Sequence, residues 1–340
     1  MKILIRGTNW IGDAVMTIPA IRKVRGLFPD AEITLLTSEP TVGIFRSAHL
    51  VDEVVATGAF VEQMSAIRRV KPDLAILFPN SFRSALATWG GGARRRFGYA
   101  AQSRSMLLTD AVAVPEWKDS RHEVYYYINL VDAVEKAFDR KIDTADPAPA
   151  LATPDSARAE ARRILDNAGL DRTRKLIGLA PGSTNSRAKR WTPEGFARLN
   201  DRIRTELDAY VIMLGSPGDI DVSSRVAELA TEKPFDLTGK TDIATAAALL
   251  AELDLLISND MGLAHLAPAV GTETIVIFGP TNPVTTRPFS DMAAVVSANV
   301  ECSPCMLRDC PIDHRCMTRI SADQVFELAK AKLTERRPIS

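Results

Sequence analysis

Short apolar runs alternate with helical patterns along this chain, twice over, and that alternation limits the folds open to it. Lys2–Arg6 reads as a buried strand, and Ala14–Phe28 as a helix with Val15, Ile18, Ile21 and Val24 near helical spacing. Pro19 falls inside that pattern and is placed to kink it. Strands follow at Glu32–Thr37, Val51–Ala56 and Leu74–Phe78, with a helix at Ala59–Val70. The stretch Asp143–Pro154, rich in Pro, Ala, Asp and Thr, reads as a linker. Beyond it the pattern restarts, with strands at Leu176–Ala180, Tyr210–Leu214, Leu255–Ser258 and Thr274–Phe278. Helices are expected at Asp155–Ala168, Pro193–Leu207, Ile220–Thr231, Ile243–Glu252 and Ala322–Thr334. Strands alternating with helices imply βαβ units and parallel sheets. The expectation is therefore an α/β chain of two Rossmann-like domains, 1–150 and 151–340, facing one central cleft.

Composition narrows the function. Lys+Arg and Asp+Glu are both 42, giving a formal net charge of +0, whereas a general nucleic-acid binder carries a basic excess. No apolar run reaches the roughly 18 residues needed to span a bilayer. Arg6, Asn9 and Asp13 interrupt the apolar N-terminus, which argues against a signal peptide and for a cytoplasmic location.

In doubly wound sheets ligands sit beyond the carboxyl ends of the strands, so the residues just after strands carry the chemistry. The first such segment, Arg6-Gly7-Thr8-Asn9-Trp10-Ile11-Gly12-Asp13, lacks the G-x-G-x-x-G spacing and has Asp where a P-loop requires Lys. Dehydrogenase and ATP-hydrolysis readings weaken accordingly. Asp13 reads either as a helix-terminal carboxylate or as a general base. The second segment, Pro181-Gly182-Ser183-Thr184 with Lys189-Arg190-Trp191, offers close backbone amides, hydroxyls and a cation to a phosphate. The third, Ser258-Asn259-Asp260-Met261-Gly262-Leu263-Ala264-His265, opens another helix; Asp260 can accept from sugar hydroxyls, and His265 is one of only four histidines. Gly279-Pro280-Thr281 ends a further strand and is placed to complete the pocket. Asp219 reads as a helix cap or as a ribose contact. Arg83, Arg94, Arg95, Arg96 and Arg104 make the N-terminal half locally basic, which suits a phosphorylated acceptor or a solvated surface.

All four cysteines fall late, at Cys302, Cys305, Cys310 and Cys316, with His314 between the last two. That set suits either a structural zinc or free, redox-reactive thiols. No catalytic metal is expected.

Taken in order, N-W-I-G-D at 9–13, P-G-S at 181–183, K-R-W at 189–191 and N-D-M-G-L-A-H at 259–265 resemble the ADP-heptose:lipopolysaccharide heptosyltransferases of glycosyltransferase family 9, most closely type II. The resemblance runs from Met1 to about Leu333. It implies the GT-B fold, with ADP-heptose on the C-terminal domain. The N-terminal domain would take the acceptor, the phosphorylated Kdo-lipid A inner core already carrying one heptose. It also implies an inverting single displacement. Asp13 would be the base, and Ser183, Thr184 and Lys189 would hold the diphosphate. Asp260, Met261 and Gly262 would contact the donor, with His265 nearby. Asn9, Trp10, Arg95 and Arg96 are the expected acceptor contacts. A lipid acceptor implies peripheral contact with the inner face of the inner membrane. Some relatives carry an acid at the position of Pro217, which moves the ribose role to Asp219 or removes it. The alternatives are a type I or III enzyme, a nucleotide-sugar 2-epimerase, or a non-catalytic nucleotide-sugar binding protein.

Overall fold

The computed structural model describes residues 1–46, 50–142, 147–170 and 173–335. The chain divides into two units, Met1–Ala152 and Thr153–Ser340. Of the expected linker, residues 143–146 lie outside the described residues; 147–154 form neither helix nor strand.

The first unit runs β1 (Lys2–Arg6), α1 (Ile11–Leu27), β2 (Glu32–Ser38), α2 (Glu39–Arg46), β3 (Glu53–Thr57), α3 (Phe60–Val70), β4 (Leu74–Leu77), α4 (Phe82–Gly90), β5 (Arg95–Tyr99), β6 (Asp110–Val112) and α5 (Glu123–Ala137). Its sheet has the order β3-β2-β1-β4-β5-β6, and the strands are parallel. In β1 and β4 the residues Ile3–Ile5 and Leu74–Leu77 are fully buried. Parallel strands covered on both faces need such continuous apolar runs. α1 is buried almost throughout from Ala14 to Val24 because it packs against α5 as well as lying within the fold.

The second unit runs α6 (Asp155–Asn167), β7 (Leu176–Ala180), α7 (Pro193–Glu206), β8 (Tyr210–Met213), α8 (Ile220–Leu229), β9 (Phe235–Asp236), α9 (Ile243–Ala251), β10 (Leu255–Asn259), α10 (Gly262–Ala269), β11 (Thr274–Phe278), α11 (Pro283–Thr286), β12 (Ala293–Ser297), α12 (Arg315–Thr318) and α13 (Ala322–Glu335). Its sheet, β12-β11-β10-β7-β8-β9, repeats the arrangement of the first. Ile177, Leu179, Ile257 and Ile277 of the sheet pack with Trp191, Phe196 and Ile203 on one side of the core, where Met317, Val325 and Phe326 of the C-terminal helices join them.

Both sheets are doubly wound. The strand order reverses between β1 and β4 in one unit and between β7 and β10 in the other. At such a switch the following loops diverge and leave a crevice beyond the carboxyl ends. The segments 7–13 and 79–83 flank the first crevice, and 181–189 and 260–265 flank the second.

Candidate functional site

At the β7–β10 switch the sequence builds a tied set of loops. Asn259, the last residue of β10, is fully buried. Its Oδ1 accepts from the Trp191 amide at 3.0 Å, and its Nδ2 donates to the carbonyls of Pro181 at 2.7 Å and Gly182 at 3.2 Å. One side chain thus fixes the P-G-S-T loop to the K-R-W turn. Trp191 is the anchor of that turn. It is almost fully buried, its ring meets Phe196 edge-on at 4.9 Å, and its Nε1 donates to the Ile320 carbonyl at 2.9 Å. Thr192 then caps α7 by accepting from the Gly195 amide at 3.0 Å, with Pro193 at the first helical position. A buried anchor on one side and a capped helix on the other hold Lys189 and Arg190 in place.

The Lys189 ammonium lies 2.7 Å from Oδ2 of Asp260, whose side chain is only 4% exposed against 27% for Lys189. The Thr281 hydroxyl donates to the same oxygen at 2.6 Å. Arg190 donates from Nε to the Ser183 carbonyl at 3.3 Å and lies 3.8 Å from Asp219. Asp219 is fully buried. Its Oδ2 accepts from the Ser216 amide at 3.0 Å and hydroxyl at 2.6 Å, and that hydroxyl sits 3.0 Å from the Thr184 hydroxyl. Thr184 is exposed, Ser183 is buried, and Met261 and Gly262 are half-buried at the start of α10. His265 is buried within α10. A Cβ on Gly182 would lie 2.1 Å from Cγ of Asp219, so only glycine lets this loop approach that carboxylate. The cluster therefore presents cations and an exposed hydroxyl on a rigid loop, the parts an anionic diphosphate needs. The Asp219 carboxylate is turned inward onto Ser216 as the third residue of a capping box, and at the start of α8 Asp219 makes no side-chain cap bond of its own, so the N-cap read from the sequence is not what its carboxylate does.

The cysteine segment supports the same loops. The Arg308 carbonyl accepts from the Ala188 amide at 2.9 Å and the Ser186 hydroxyl at 3.1 Å. Nε2 of His314 meets the Ala188 carbonyl at 2.6 Å. The Met306 amide donates to the Pro280 carbonyl at 2.8 Å, and the Ser303 hydroxyl to the Gly279 carbonyl at 2.6 Å. The segment thus braces both the turn that carries Lys189 and the loop that carries Thr281. Of the two readings of Cys302, Cys305, Cys310 and Cys316, the structural zinc finds no support. The four thiols are free, and among the described residues no group of three or more His, Cys, Asp or Glu is placed to hold a metal ion. Cys302 and Cys305 are exposed while Cys316 is buried, and burial first, then the three other thiols, push its thiol above the usual range. A zinc site would need all four sulfurs about 2.3 Å from one point.

In the first unit Asp13 lies half-exposed in the first turn of α1, and Asn9 and Trp10 are exposed just before it. Asp13 is near enough to the buried Tyr127 to add to the effect of burial in raising that phenol. Arg6, the end of β1, is buried and donates from Nη2 to Oδ1 of Asn9 at 2.8 Å. Arg95 and Arg96 begin β5, at the opposite end of the sheet from Asp13. Arg95 pairs with Asp110 at 2.6 Å, and that hydrogen bond raises its pKa; it also lies over the rings of Phe97 and Phe138. Arg96 donates to the carbonyls of Leu107 at 2.7 Å and Ala93 at 2.6 Å. Arg104 is fully buried on the carbonyls of Pro79 and Tyr99, Asn80 and Ser84, and burial lowers it to about 10. The structure therefore brings Asn9, Trp10 and Asp13 together and sets Arg95 and Arg96 apart. The tying role of Asn259 and the contacts of Arg190 were not read from the sequence. Each lies beside a chosen motif residue, but its role depends on partners far along the chain.

Residues 62–315 match the model of glycosyltransferase family 9 (heptosyltransferase). The chain is 30% identical over 313 residues to lipopolysaccharide heptosyltransferase 2 of Escherichia coli, covering 87% of this chain and 88% of that one. It is 27% identical to lipooligosaccharide heptosyltransferase 2 of Campylobacter jejuni, covering 97% and 98%. The structure of E. coli ADP-heptose lps heptosyltransferase II superposes with a TM-score of 0.83 at 26% identity, covering 98% and 99%. The α/β class of two Rossmann-like units is that of the GT-B transferases. Among the described residues no helix is long and apolar enough to cross a membrane.

Proposed function

The chain belongs to glycosyltransferase family 9, the heptosyltransferases, and from that premise we propose that it adds the second heptose to the lipopolysaccharide inner core. It moves L-glycero-D-manno-heptose from ADP-heptose to the phosphorylated heptosyl-Kdo-lipid A acceptor. The second unit binds the donor and the first receives the acceptor. The observation that supports this most is the cluster at the β7–β10 switch, where the P-G-S-T loop, Lys189, Arg190 and Asp260 are fixed together by Asn259.

The Asp13 carboxylate takes the proton of the acceptor hydroxyl as its oxygen bonds to the anomeric carbon. The bond from that carbon to the phosphate oxygen breaks, and ADP leaves with the electron pair. Lys189, Ser183 and Thr184, with Arg190, hold the diphosphate and stabilise the charge it gains, as fixed donors and cations do in a partly dry site. Asp260 holds the Lys189 ammonium and, with Met261 and Gly262, lies against the donor, with His265 nearby. The inversion follows from a single displacement. A lipid-linked acceptor places the enzyme at the inner face of the inner membrane as a peripheral protein.

The test is heptose transfer from ADP-heptose to Kdo-lipid A with and without the first heptose, comparing wild type with Asp13→Asn. Transfer confined to the heptose-bearing acceptor, and lowered roughly 100- to 10,000-fold by Asp13→Asn with donor binding kept, is the expected result. Equal transfer by Asp13→Asn would remove the base from this account, and transfer to the heptose-free acceptor would make the enzyme type I.

A further inference from the structure

Arg6 is an unusual residue to find at the end of a central strand. It is buried, yet among the described residues no carboxylate pairs with it. Its Nη1 donates to the carbonyls of Gly7 and Leu36, its Nη2 to Asn9, and its Nε has no partner. Burial, and then the nearby charge of Arg83, hold its pKa down to about 10. Arg83, one residue into α4, is exposed, and its guanidinium lies 5.6 Å from the centre of the Phe60 ring. Among the described residues it too pairs with no carboxylate. The loop that leads to Arg83 follows Leu77, the register partner of Arg6, and the two guanidinium charges are close enough to oppose one another at the β1–β4 switch.

Asn9, the side-chain partner of Arg6, is oriented for a ligand. A guanidinium can only donate, so the atom of Asn9 that faces Arg6 is its oxygen. The Asn9 amide nitrogen is therefore turned away from Arg6, on an exposed residue. The backbone of this loop is tied as well. The Ser38 hydroxyl donates to the Asn9 carbonyl at 2.7 Å, and the Thr37 hydroxyl to the Thr8 carbonyl at 2.9 Å. Helix α1 begins here without a side-chain cap on its first amides, which leaves its positive end open.

We propose that Arg83 and Asn9, backed by the buried charge of Arg6, form a subsite for an oxyanion of the acceptor, a phosphate ester or a sugar carboxylate, beside Asp13. The subsite rests on the reading of this unit as the acceptor domain. Arg83 and the Asn9 amide touch the anion. Arg6 is a positioning residue that fixes the Asn9 amide and supplies a field which water does not screen. The anion relieves the repulsion between the two cations, and a preset loop loses little freedom on binding it.

The experiment has two parts. In the first, wild type, Arg83→Gln and Arg6→Met are compared on three acceptors: intact, stripped of phosphate esters, and with carboxylates esterified. Arg83→Gln is expected to raise the KM of the intact acceptor roughly tenfold to a hundredfold, the effect of losing one charge-assisted hydrogen bond. The KM for the donor stays unchanged. Arg6→Met raises the same KM with kcat little altered, which a general loss of structure would not do. The acceptor on which wild type and Arg83→Gln become equal identifies the anion. Equal KM values on all three would overturn the subsite. In the second part, inorganic phosphate is titrated into protein saturated with ADP, so that the donor loops are filled. Wild type is expected to be stabilised against heat and Arg83→Gln not; identical shifts would also overturn the proposal. Arg83-dependent phosphate binding in a protein that transfers no heptose would uphold the subsite and sink the transferase reading alone.

Discussion

Lys189→Met tests how the cluster at the β7–β10 switch is held together. At 2.7 Å two unit charges attract by about 6 kcal/mol at the effective dielectric constant of about 20 that suits protein sites. Removing both charges from water offsets much of that, and Lys189 remains in partial contact with solvent, so a net coupling of about 1–3 kcal/mol is expected. The two ends of the pair are not equivalent. Lys189→Met leaves a carboxylate buried at 4% exposure with the Thr281 hydroxyl still donating to it, at a cost of about 2–3 kcal/mol, below the range for a fully buried pair. Asp260→Asn leaves a lysine that can turn to water, and an amide oxygen that still accepts from Thr281, at about 1 kcal/mol. The double-mutant cycle is measured by urea unfolding followed on Trp191, the buried tryptophan of the second unit, in a background where Trp10, Trp89 and Trp117 are phenylalanine. Titration of each variant with ADP gives the second readout, with Lys189→Met expected to weaken ADP more than Asp260→Asn. A coupling under about 0.5 kcal/mol, the error of additivity, would refute the reasoning, as would a Lys189→Met protein as stable as its parent.

Other outcomes follow from the same structure. Gly182→Ala drives a Cβ to within 2.1 Å of Asp219, whose carboxylate is held on Ser216. It is expected to lose about 1–3 kcal/mol of stability and to raise the donor KM, read by thermal unfolding and steady-state kinetics. Asn259→Ala removes three buried hydrogen bonds that join two loops. A loss of about 2–4 kcal/mol is expected, and calorimetry showing a shift of under about 1 °C would contradict it. In the first unit Lys23 of α1 is paired with Asp132 and Glu135 of α5. Burial opposes the Lys23 charge, but its hydrogen bonds to Asp132 and Glu135 raise its pKa above 10.5, and the hydrogen bond from Lys23 lowers Glu135 below 4.5. Glu135 therefore stabilises the fold above about pH 4.5 and ceases to do so as pH falls through its lowered value, while Lys23 stabilises it below about pH 10.5 and ceases to as pH rises through its raised value. The stability gap between wild type and Glu135→Gln should be flat near neutrality and shrink on the acid side; a gap unchanged down to pH 3 would exclude the pair as its source.

Much of the fold was legible because parallel strands buried on both faces must be short, apolar and bounded. Leu176–Ala180 and Thr274–Phe278 have the limits read from the sequence, and α7 differs by one residue at its end. The stretch from Pro79 to Ile142 was not legible. There β5 opens with Arg95 and Arg96 and contains Gly98, and no apolar run betrays it. Those charges are tolerated because they lie at the strand's start, where Asp110 and local carbonyls receive them. α1 begins at Ile11 rather than Ala14, since no capping residue marks its start.

The motifs themselves were legible because loops after strands are where small residues, hydroxyls and charges gather, and nearby residues in a chain stay near in space. Sequence by itself therefore determined the class of the fold and pointed to the segments proposed to carry the chemistry. Which side chains meet was decided by the tertiary structure. Lys189 and Asp260 are seventy-one positions apart and pair only because β7 and β10 are neighbours at the switch. Arg96 and Arg104, alike as basic residues in the sequence, are spent on backbone carbonyls, whereas Arg83 is left facing solvent. How much of a charge a ligand can use depends on what the fold has already set against it, and no local pattern records those partners.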